Sequence, residues 1–273
     1  MQLLNEELTK KWKALAHLLM DQMSVGVALS GGVDSALVTC AAVEALGAGK
    51  VTAFTIASPV EMPEELETAQ QIASLLGVQH EVIDWNDLDT PGFAQNPVDR
   101  CYWCKKERLA QIRERASALG IYSVCDGSNQ DDGDDYRPGR RALTELGVLS
   151  PLALAGITKA DVRALAQWKG LPVWDKPSHP CLATRIPYGT HIFLEDLQKV
   201  SAAEAWLSGQ GFTQNRVRLH GDLARIEVPF DELERLIPLR TKLLTAFKEL
   251  GMLYITLDLQ GFRSGSMNEG MKL

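Results

Sequence analysis

The sequence predicts an α/β fold with a parallel, doubly wound sheet, followed by a smaller α+β domain. Over the first two thirds of the chain, short β-rich runs alternate with stretches of helical periodicity, as in parallel strands joined by crossover helices. After about residue 185 the pattern changes to helix, paired strands, helix and a last strand. We therefore predict two domains, residues 1–185 and 186–273.

The elements of the first domain follow in order. Strands are predicted at the short β-rich runs 25–29, 51–56, 80–85 and 122–125. Helical spacing predicts helices at 33–46, 64–76, 102–119 and 157–170, the last with Thr158 as its cap and Asp161 in its first turn. Ligands bind beyond the carboxyl ends of parallel strands, so we expect the loops after the first and last of these strands to share one functional edge.

The second domain is predicted from a different pattern. Residues 194–207 and 230–250 have helical spacing, with an interruption at Pro238 in the second stretch. Residues 216–220 and 224–228 alternate on either side of Gly221 and Asp222, which is typical of a hairpin. A final strand is predicted at 254–259.

Composition narrows the class of protein. No apolar run is long enough to span a membrane, and residues 1–22 read as an amphipathic helix and not as a signal peptide, so a cytoplasmic location is expected. The net charge of -7 and the scattered basic residues argue against a nucleic-acid partner. Five cysteines in a chain of this size do not suggest a disulfide framework, and we expect Cys40 and Cys125 in the core.

A glycine-rich loop after the first strand carries the main functional signal. It consists of six residues, Ser30, Gly31, Gly32, Val33, Asp34 and Ser35. Glycines let the backbone approach phosphate oxygens, the following helix offers free N–H groups, and the two serines add hydroxyl donors. A carboxylate repels phosphate, so Asp34 is expected to hold Mg²⁺. The loop lacks the Gly-Lys-Ser/Thr ending of a Walker motif, so cleavage of the γ-phosphate is not expected.

This hexapeptide resembles the PP-loop ATP pyrophosphatase family. The resemblance implies a Rossmann-like fold, ATP cleavage between the α- and β-phosphates, and an adenylated intermediate. It also implies that the strand after the first helix holds adenine, which places Ala57 and Ser58 at the nucleotide. The Asp126-Gly127 step matches a second nucleotide contact, through Gly127.

Three further stretches resemble the LarE sulfur transferases. They read DGSNQDDGDDYRPG at 126–139, TRIPYGT at 184–190 and LDLQGFRSG at 257–265, and the match covers nearly the whole chain. The resemblance implies adenylation of a carboxylate of pyridinium-3,5-biscarboxylic acid mononucleotide and replacement of its oxygen by sulfur, in synthesis of the nickel-pincer cofactor. ATP and Mg²⁺ are then cofactors, and the substrate is a small nucleotide.

An anionic substrate of this kind needs cationic partners. Arg185, Arg216 and Arg218 can bind oxyanions through their planar guanidinium groups, and the last two share a strand face because they are two apart. The resemblance places Glu204 and Glu227 near the sulfur-transfer site. Solvated strand arginines and exposed carboxylates remain the alternative reading.

The acidic loop after residue 130 is also a candidate functional element. Asp132, Asp135, Tyr136 and Arg137 are suited to order a lid over the nucleotide. A solvated acidic loop is the alternative.

Three cysteines are candidates for the sulfur source. Cys101 and Cys104 have C-x-x-C spacing, and Cys181 directly precedes the arginine segment. Three thiolates can hold three irons of a [4Fe–4S] cluster and leave the fourth open. Three other roles stay open: sacrifice of the sulfur of Cys181, a zinc site with His179 as the fourth ligand, and a redox pair.

The expected partners follow from this chemistry. We expect a homo-oligomer, supplied with sulfur by sulfide or a sulfur donor protein, with neither a nucleic acid nor a membrane as partner. A PP-loop tRNA thiolase is the alternative enzyme, although the chain lacks a basic face and additional C-x-x-C pairs. A nucleotide sensor without catalysis is a third possibility.

Overall fold

The chain folds into two compact units. The computed structural model describes residues 4–133, 139–177, 180–263 and 265–268. The first unit contains residues 1–90 and 99–179, and the second contains residues 91–98 and 180–273. The units therefore divide between residues 179 and 180, six residues before the boundary expected from the sequence, and the second also takes in a short earlier segment.

A parallel sheet forms the centre of the first unit. In the described part of this unit its strands are β1 Val25–Ala28, β2 Val51–Ala57, β3 Gln79–Asp84 and β4 Ser123–Cys125. They are arranged in the order β3-β2-β1-β4, and each neighbouring pair is parallel. The α/β fold class predicted from the sequence is confirmed, and β1 and β4 lie side by side.

Helices surround this sheet. They are α1 Glu6–Met20, α2 Val33–Leu46, α3 Pro63–Leu76, α4 Arg100–Ala118, α5 Gly139–Leu146, α6 Pro151–Leu154 and α7 Lys159–Trp168, with short 3-10 turns at Ala48–Lys50, Asp87–Asp89 and Gln130–Gly133. The cap predicted for α7 is confirmed: the Thr158 side chain accepts from the Asp161 backbone N–H, and the Asp161 carboxylate accepts from the Thr158 backbone N–H.

Side chains alternate between the two faces of the sheet. Val25 and Val27 pack with α1, α2, α3 and α7 in one core, whereas Phe54 and Val124 pack with α4 and α5 in another. Gly26 lies next to Phe54, and a methyl group at position 26 would be 2.8 Å from the Phe54 ring. The missing side chain at Gly26 is therefore what admits the aromatic ring.

The second unit contains a small mixed sheet. Its described elements are α8 Leu194–Gly209, β5 Arg216–His220, β6 Leu223–Glu227, α9 Leu233–Leu236, α10 Arg240–Glu249 and β7 Tyr254–Leu257, with 3-10 turns at Leu182–Arg185, Phe230–Glu232, Ile237–Leu239 and Ser266–Asn268. The predicted hairpin is confirmed, with β5 and β6 antiparallel, while β7 adds to β6 in parallel. One face of this sheet contributes Val217, Ala224 and Ile226 to a core shared with α8 and α10.

The interruption predicted at Pro238 within residues 230–250 is confirmed. The stretch is divided into a 3-10 turn, α9, a second 3-10 turn that contains Pro238, and α10, because proline cannot donate a backbone hydrogen bond. The sequence did not predict α5 and α6. These helices are eight and four residues long, so each is too short to show a clear apolar period.

We predict that Gly26→Ala destabilises the protein by about 1–3 kcal/mol, because the new methyl group overlaps the buried Phe54 ring. Chemical denaturation of both proteins measures the change in the free energy of unfolding. Gly49→Ala is the matched control, since a methyl group there meets no atom within 4 Å. Equal stability of Gly26→Ala and wild type would show that Phe54 repacks without cost.

Candidate functional site

The glycine-rich loop is held in a closed conformation by its last serine. The Ser35 hydroxyl accepts from the Ser30 backbone N–H at 3.1 Å and donates to the Gly32 carbonyl at 3.1 Å. Gly31 has a φ of 77°, and a methyl group there would lie 2.4 Å from the Glu65 carbonyl oxygen. Only glycine fits at position 31. The tight turn at this glycine leads the loop into the first turn of α2.

The segment after β4 passes close to the same helix end. A methyl group at Gly127 would be 2.8 Å from the Ser35 backbone nitrogen. Two stretches predicted to contact the nucleotide, the glycine-rich loop and Gly127, are thus brought together in the first unit. Free backbone N–H groups at a helix N-terminus attract anions, which suits this edge to phosphate.

Asp34 has partners that the sequence did not indicate. Asn129 donates to one carboxylate oxygen at 2.9 Å, and the Lys159 ammonium pairs with the other. Lys159 is the first residue of α7, so the capped start of that helix positions it. Because Asn129 lies 95 residues and Lys159 lies 125 residues from Asp34, no local spacing could reveal the contacts.

Two more lysines lie near the loop. Lys105 pairs with Asp126 at 2.8 Å, beside Gly127, and Lys176 donates to the Gly31 carbonyl at 3.2 Å. With Lys159 they place three ammonium groups around the predicted phosphate region. Lysine is a compact cation with rotatable donors and binds phosphate well. Sequence reasoning missed all three because their neighbours are distant along the chain.

The end of β2 supplies the remaining predicted nucleotide residues. The Ala57 carbonyl accepts from the Trp85 backbone N–H at 2.9 Å. The Ser58 hydroxyl donates to the Asp87 carboxylate at 2.5 Å. Because β2 and β1 are neighbours, both residues lie on the same sheet edge as the glycine-rich loop.

Cys101 and Cys104 lie in the first turn of α4. Cys101 is exposed and Cys104 is half-buried. The Cys104 thiol donates to Asp87 at 3.2 Å, and Arg108, one turn further along α4, donates to both oxygens of the same carboxylate. Burial opposes the charge of Arg108, but Cys104, Glu61 and Asp87 raise its pKa well above the ordinary value.

In the second unit, a buried ion pair fixes Arg185. Its guanidinium donates to both carboxylate oxygens of Glu204 at 2.9 Å. The same carboxylate accepts from the backbone N–H of Val217 at 2.9 Å. The pair is 1% and 3% exposed, so the reading of Glu204 as an exposed carboxylate is wrong.

A second buried pair lies on the polar face of β5 and β6. Arg218 donates to Glu227 at 2.9 and 3.1 Å, and Ser266 donates to the same carboxylate at 2.8 Å. Arg218 is 5% exposed and Glu227 is 0% exposed. The alternative of a solvated strand arginine and an exposed carboxylate is therefore wrong for both.

The third arginine, Arg216, lies close to the other two charges. It is buried and donates to the Asn215 carbonyl at 2.6 Å. Burial and the neighbouring charge of Arg185 lower the pKa of Arg216 to about 10. An anion next to Arg216 would relieve this cost, which suits the residue to ligand binding.

Cys181 belongs to the second unit, whereas Cys101 and Cys104 belong to the first. Cys181 is half-buried, and its carbonyl accepts from Arg185 at 3.1 Å. Among the described residues, no group of three His, Cys, Asp or Glu side chains is placed to hold a metal ion. His179, the proposed fourth zinc ligand, lies outside the described residues.

Part of the proposed lid also lies outside the described residues, namely Asp135, Tyr136 and Arg137. Asp132 is described, and its carboxylate accepts from the Asn129 backbone N–H at 2.9 Å. In the part of the chain with assigned structure, no helix combines the length and apolar character needed to cross a membrane.

The chain is similar to several known proteins. Residues 12–100 match the family model for asparagine synthase. An uncharacterized protein of Synechocystis is 46% identical over 89% of this chain and 91% of its own length. The NMN synthetase of Francisella tularensis has a similar fold, with a TM-score of 0.50 and 20% identity over 63% of this chain and 75% of that chain.

A relative with a specific name matches nearly the whole chain. The pyridinium-3,5-bisthiocarboxylic acid mononucleotide synthase of Lactiplantibacillus plantarum is 39% identical over 96% of this chain and 95% of its own length. Similarity at this level over both whole chains, together with the glycine-rich loop at the sheet edge, decides the family. The chain belongs to the family of this synthase, within the PP-loop ATP pyrophosphatases.

Proposed function

We propose that this protein is an ATP-dependent sulfur transferase in nickel-pincer cofactor synthesis. It adenylates a carboxylate of pyridinium-3,5-biscarboxylic acid mononucleotide and then replaces a carboxylate oxygen with sulfur. The full-length similarity to the L. plantarum synthase carries this proposal. The loop geometry and the buried arginines supply independent physical support.

The first step is activation of the acceptor. A carboxylate oxygen of the acceptor attacks the α-phosphate of ATP, and pyrophosphate leaves. The first turn of α2 and the three lysines at the loop can stabilise the negative charge that develops on the phosphates. Ala57, Ser58 and Gly127 are proposed to hold the nucleotide in place.

Mg²⁺ fits the carboxylate of Asp34. This ion is usually held by one or two carboxylates together with substrate phosphates and water, so a site with one carboxylate is adequate. Asn129 and the Lys159 ammonium occupy the two carboxylate oxygens of Asp34, so Mg²⁺ would take the place of Lys159 on one of them. When bound, Mg²⁺ neutralises charge on the leaving pyrophosphate.

The arginines of the second unit are proposed to bind the acceptor. Arg185 donates to both oxygens of Glu204, and Arg218 donates twice to one oxygen of Glu227, which fixes both guanidinium groups in position. The destabilised charge of Arg216 makes it the principal candidate to receive an anionic group of the acceptor. Glu204 and Glu227 then act as positioning residues.

The sulfur source is proposed to be a [4Fe–4S] cluster held by Cys101, Cys104 and Cys181. Three thiols are the donor set that such a cluster needs for three of its irons. Two of them lie on one helical turn, which lets both sulfurs serve one centre. When bound, such a cluster would supply sulfide-level sulfur to the adenylated carboxylate, and AMP would leave with one of the carboxylate oxygens.

We predict that Asp34→Ala lowers pyrophosphate release at least about a hundredfold, because stabilisation of the leaving group is lost. Asp34→Asn should behave similarly while preserving the side-chain volume beside Lys159. A coupled pyrophosphate assay measures the rate. Asp21→Ala, an exposed aspartate at the end of α1, is the control. Release at the wild-type rate in both Asp34 variants would remove Asp34 from the mechanism.

We predict that Arg216→Ala weakens acceptor binding by about 1.5–3 kcal/mol, the contribution of a hydrogen bond to a charged group, and leaves ATP affinity nearly unchanged. Arg218→Ala should weaken acceptor binding too, with a loss of stability because buried Glu227 loses one of its arginine partners and keeps Arg225. Calorimetric titration with each ligand separates the effects.

Arg240→Ala is the control for the loss of a positive charge, because Arg240 is exposed. If Arg216→Ala reduced ATP affinity as much as acceptor affinity, these arginines would belong to the nucleotide and the assignment would be wrong.

We predict that replacing Cys101, Cys104 or Cys181 by alanine reduces iron and sulfide content after anaerobic purification and abolishes repeated sulfur transfer. ATP binding should survive, because none of the three cysteines belongs to the glycine-rich loop. Cys40→Ala is the control, since Cys40 packs against the core of the first unit.

The alternative sulfur source, sacrifice of the Cys181 sulfur, predicts a different result. It requires Cys181 alone and leaves the residue lighter by one H₂S after a single turnover. Dehydroalanine at position 181, seen by mass spectrometry, together with full activity of a Cys101→Ala, Cys104→Ala double variant, would exclude the cluster.

A further inference from the structure

One buried carboxylate in the first unit has no role in the mechanism described above. Asp87 lies in the 3-10 turn after β3 and is 0% exposed. The sequence places it in a loop, with no motif around it. A buried carboxylate is costly unless its oxygens are well satisfied, so its partners show what it is for.

Among the described residues, three side chains donate to Asp87. Arg108 donates to both oxygens, at 2.9 and 2.6 Å, and balances the charge. The Ser58 hydroxyl donates at 2.5 Å, and the Cys104 thiol donates at 3.2 Å. If Asp87 only formed a structural ion pair, Arg108 would be a sufficient partner. The other two donors are residues with proposed roles at the nucleotide and at the sulfur source.

We propose that Asp87 is a positioning residue that couples the nucleotide site to Cys104. The three donors share the Asp87 carboxylate. When one donor leaves, the carboxylate becomes a stronger acceptor for the donors that remain. In the cluster-free protein, where the Cys104 S–H donates to Asp87, a nucleotide that engages the Ser58 hydroxyl removes it from Asp87, and Asp87 then holds the Cys104 thiol more firmly. This inference rests on the proposed function in assigning Ser58 to the nucleotide.

The rate of thiol alkylation reports the coupling directly. The full chain, freed of metal with a chelator under anaerobic conditions, is treated with iodoacetamide, and each cysteine is followed by peptide mass spectrometry. Magnesium and α,β-methylene-ATP should slow alkylation of Cys104 about fivefold, at the low end of typical coupling between sites. Cys101, exposed in the same helical turn, is the internal reference and should change less.

Asp87→Asn separates coupling from simple shielding by the nucleotide. Without nucleotide, Cys104 should react about tenfold faster than in wild type, since a hydrogen bond to a charged acceptor is lost. The nucleotide should still bind but no longer change the Cys104 rate. Asp89→Asn is the matched control, an exposed aspartate in the same turn, and should behave as wild type.

Ser58→Ala tests the same coupling by removing the donor on the nucleotide side of Asp87. It replaces Asp87→Asn as the test if that variant fails to fold. It should slow Cys104 alkylation without any nucleotide, because the hydroxyl is permanently withdrawn, and adding nucleotide should have no further effect on Cys104. Thermal denaturation of every variant checks that the fold is intact.

Three outcomes would overturn the inference. Equal slowing of Cys104 in wild type and Asp87→Asn would mean direct shielding. An unchanged Cys104 rate in wild type, with nucleotide binding shown by calorimetry, would mean that no coupling exists. Absence of nucleotide binding to wild type would instead remove the proposed function, and this inference with it.

Discussion

The first turn of α2 is the constraint on which the nucleotide edge depends. Two backbone segments meet there, the glycine-rich loop from β1 and the Gly127 segment from β4, and neither leaves room for a side chain at the contact. The parallel order of the sheet makes the meeting possible, because it places the ends of β1 and β4 side by side. The side chains of the three lysines, Asn129 and Asp126 lie around this fixed backbone geometry.

In the first unit, close backbone contacts position the glycine-rich loop. In the second unit, buried ion pairs position the candidate binding residues. Buried ion pairs add little net stability, because the cost of removing the charges from water offsets their attraction. Two buried arginine–glutamate pairs in one small unit are therefore hard to explain by stability alone. They do hold guanidinium groups in fixed orientations, and rigid orientation is what a binding surface needs.

The sequence predicted the order of strands and helices well, because alternation and glycine turns are local signals. It also indicated the hairpin, but not that Arg218 and Glu227 would pair. That pairing depends on the register, which sets Arg216 opposite Glu227 and Arg218 opposite Arg225, so that the arginine reaches the carboxylate diagonally. Asp87 and Lys159 were missed for a related reason: a buried aspartate and a surface lysine look alike in sequence until the fold supplies their neighbours.

The three lysines at the glycine-rich loop have a consequence for how the site receives a ligand. Each is already paired with a carboxylate: Lys105 with Asp126, Lys159 with Asp34 and Lys176 with Glu65. The ammonium groups are therefore held in place before an anion arrives, and the paired carboxylates cancel much of their charge. An anion that binds at the loop competes with these carboxylates for the ammonium groups, which favours a multiply charged ligand over a singly charged one.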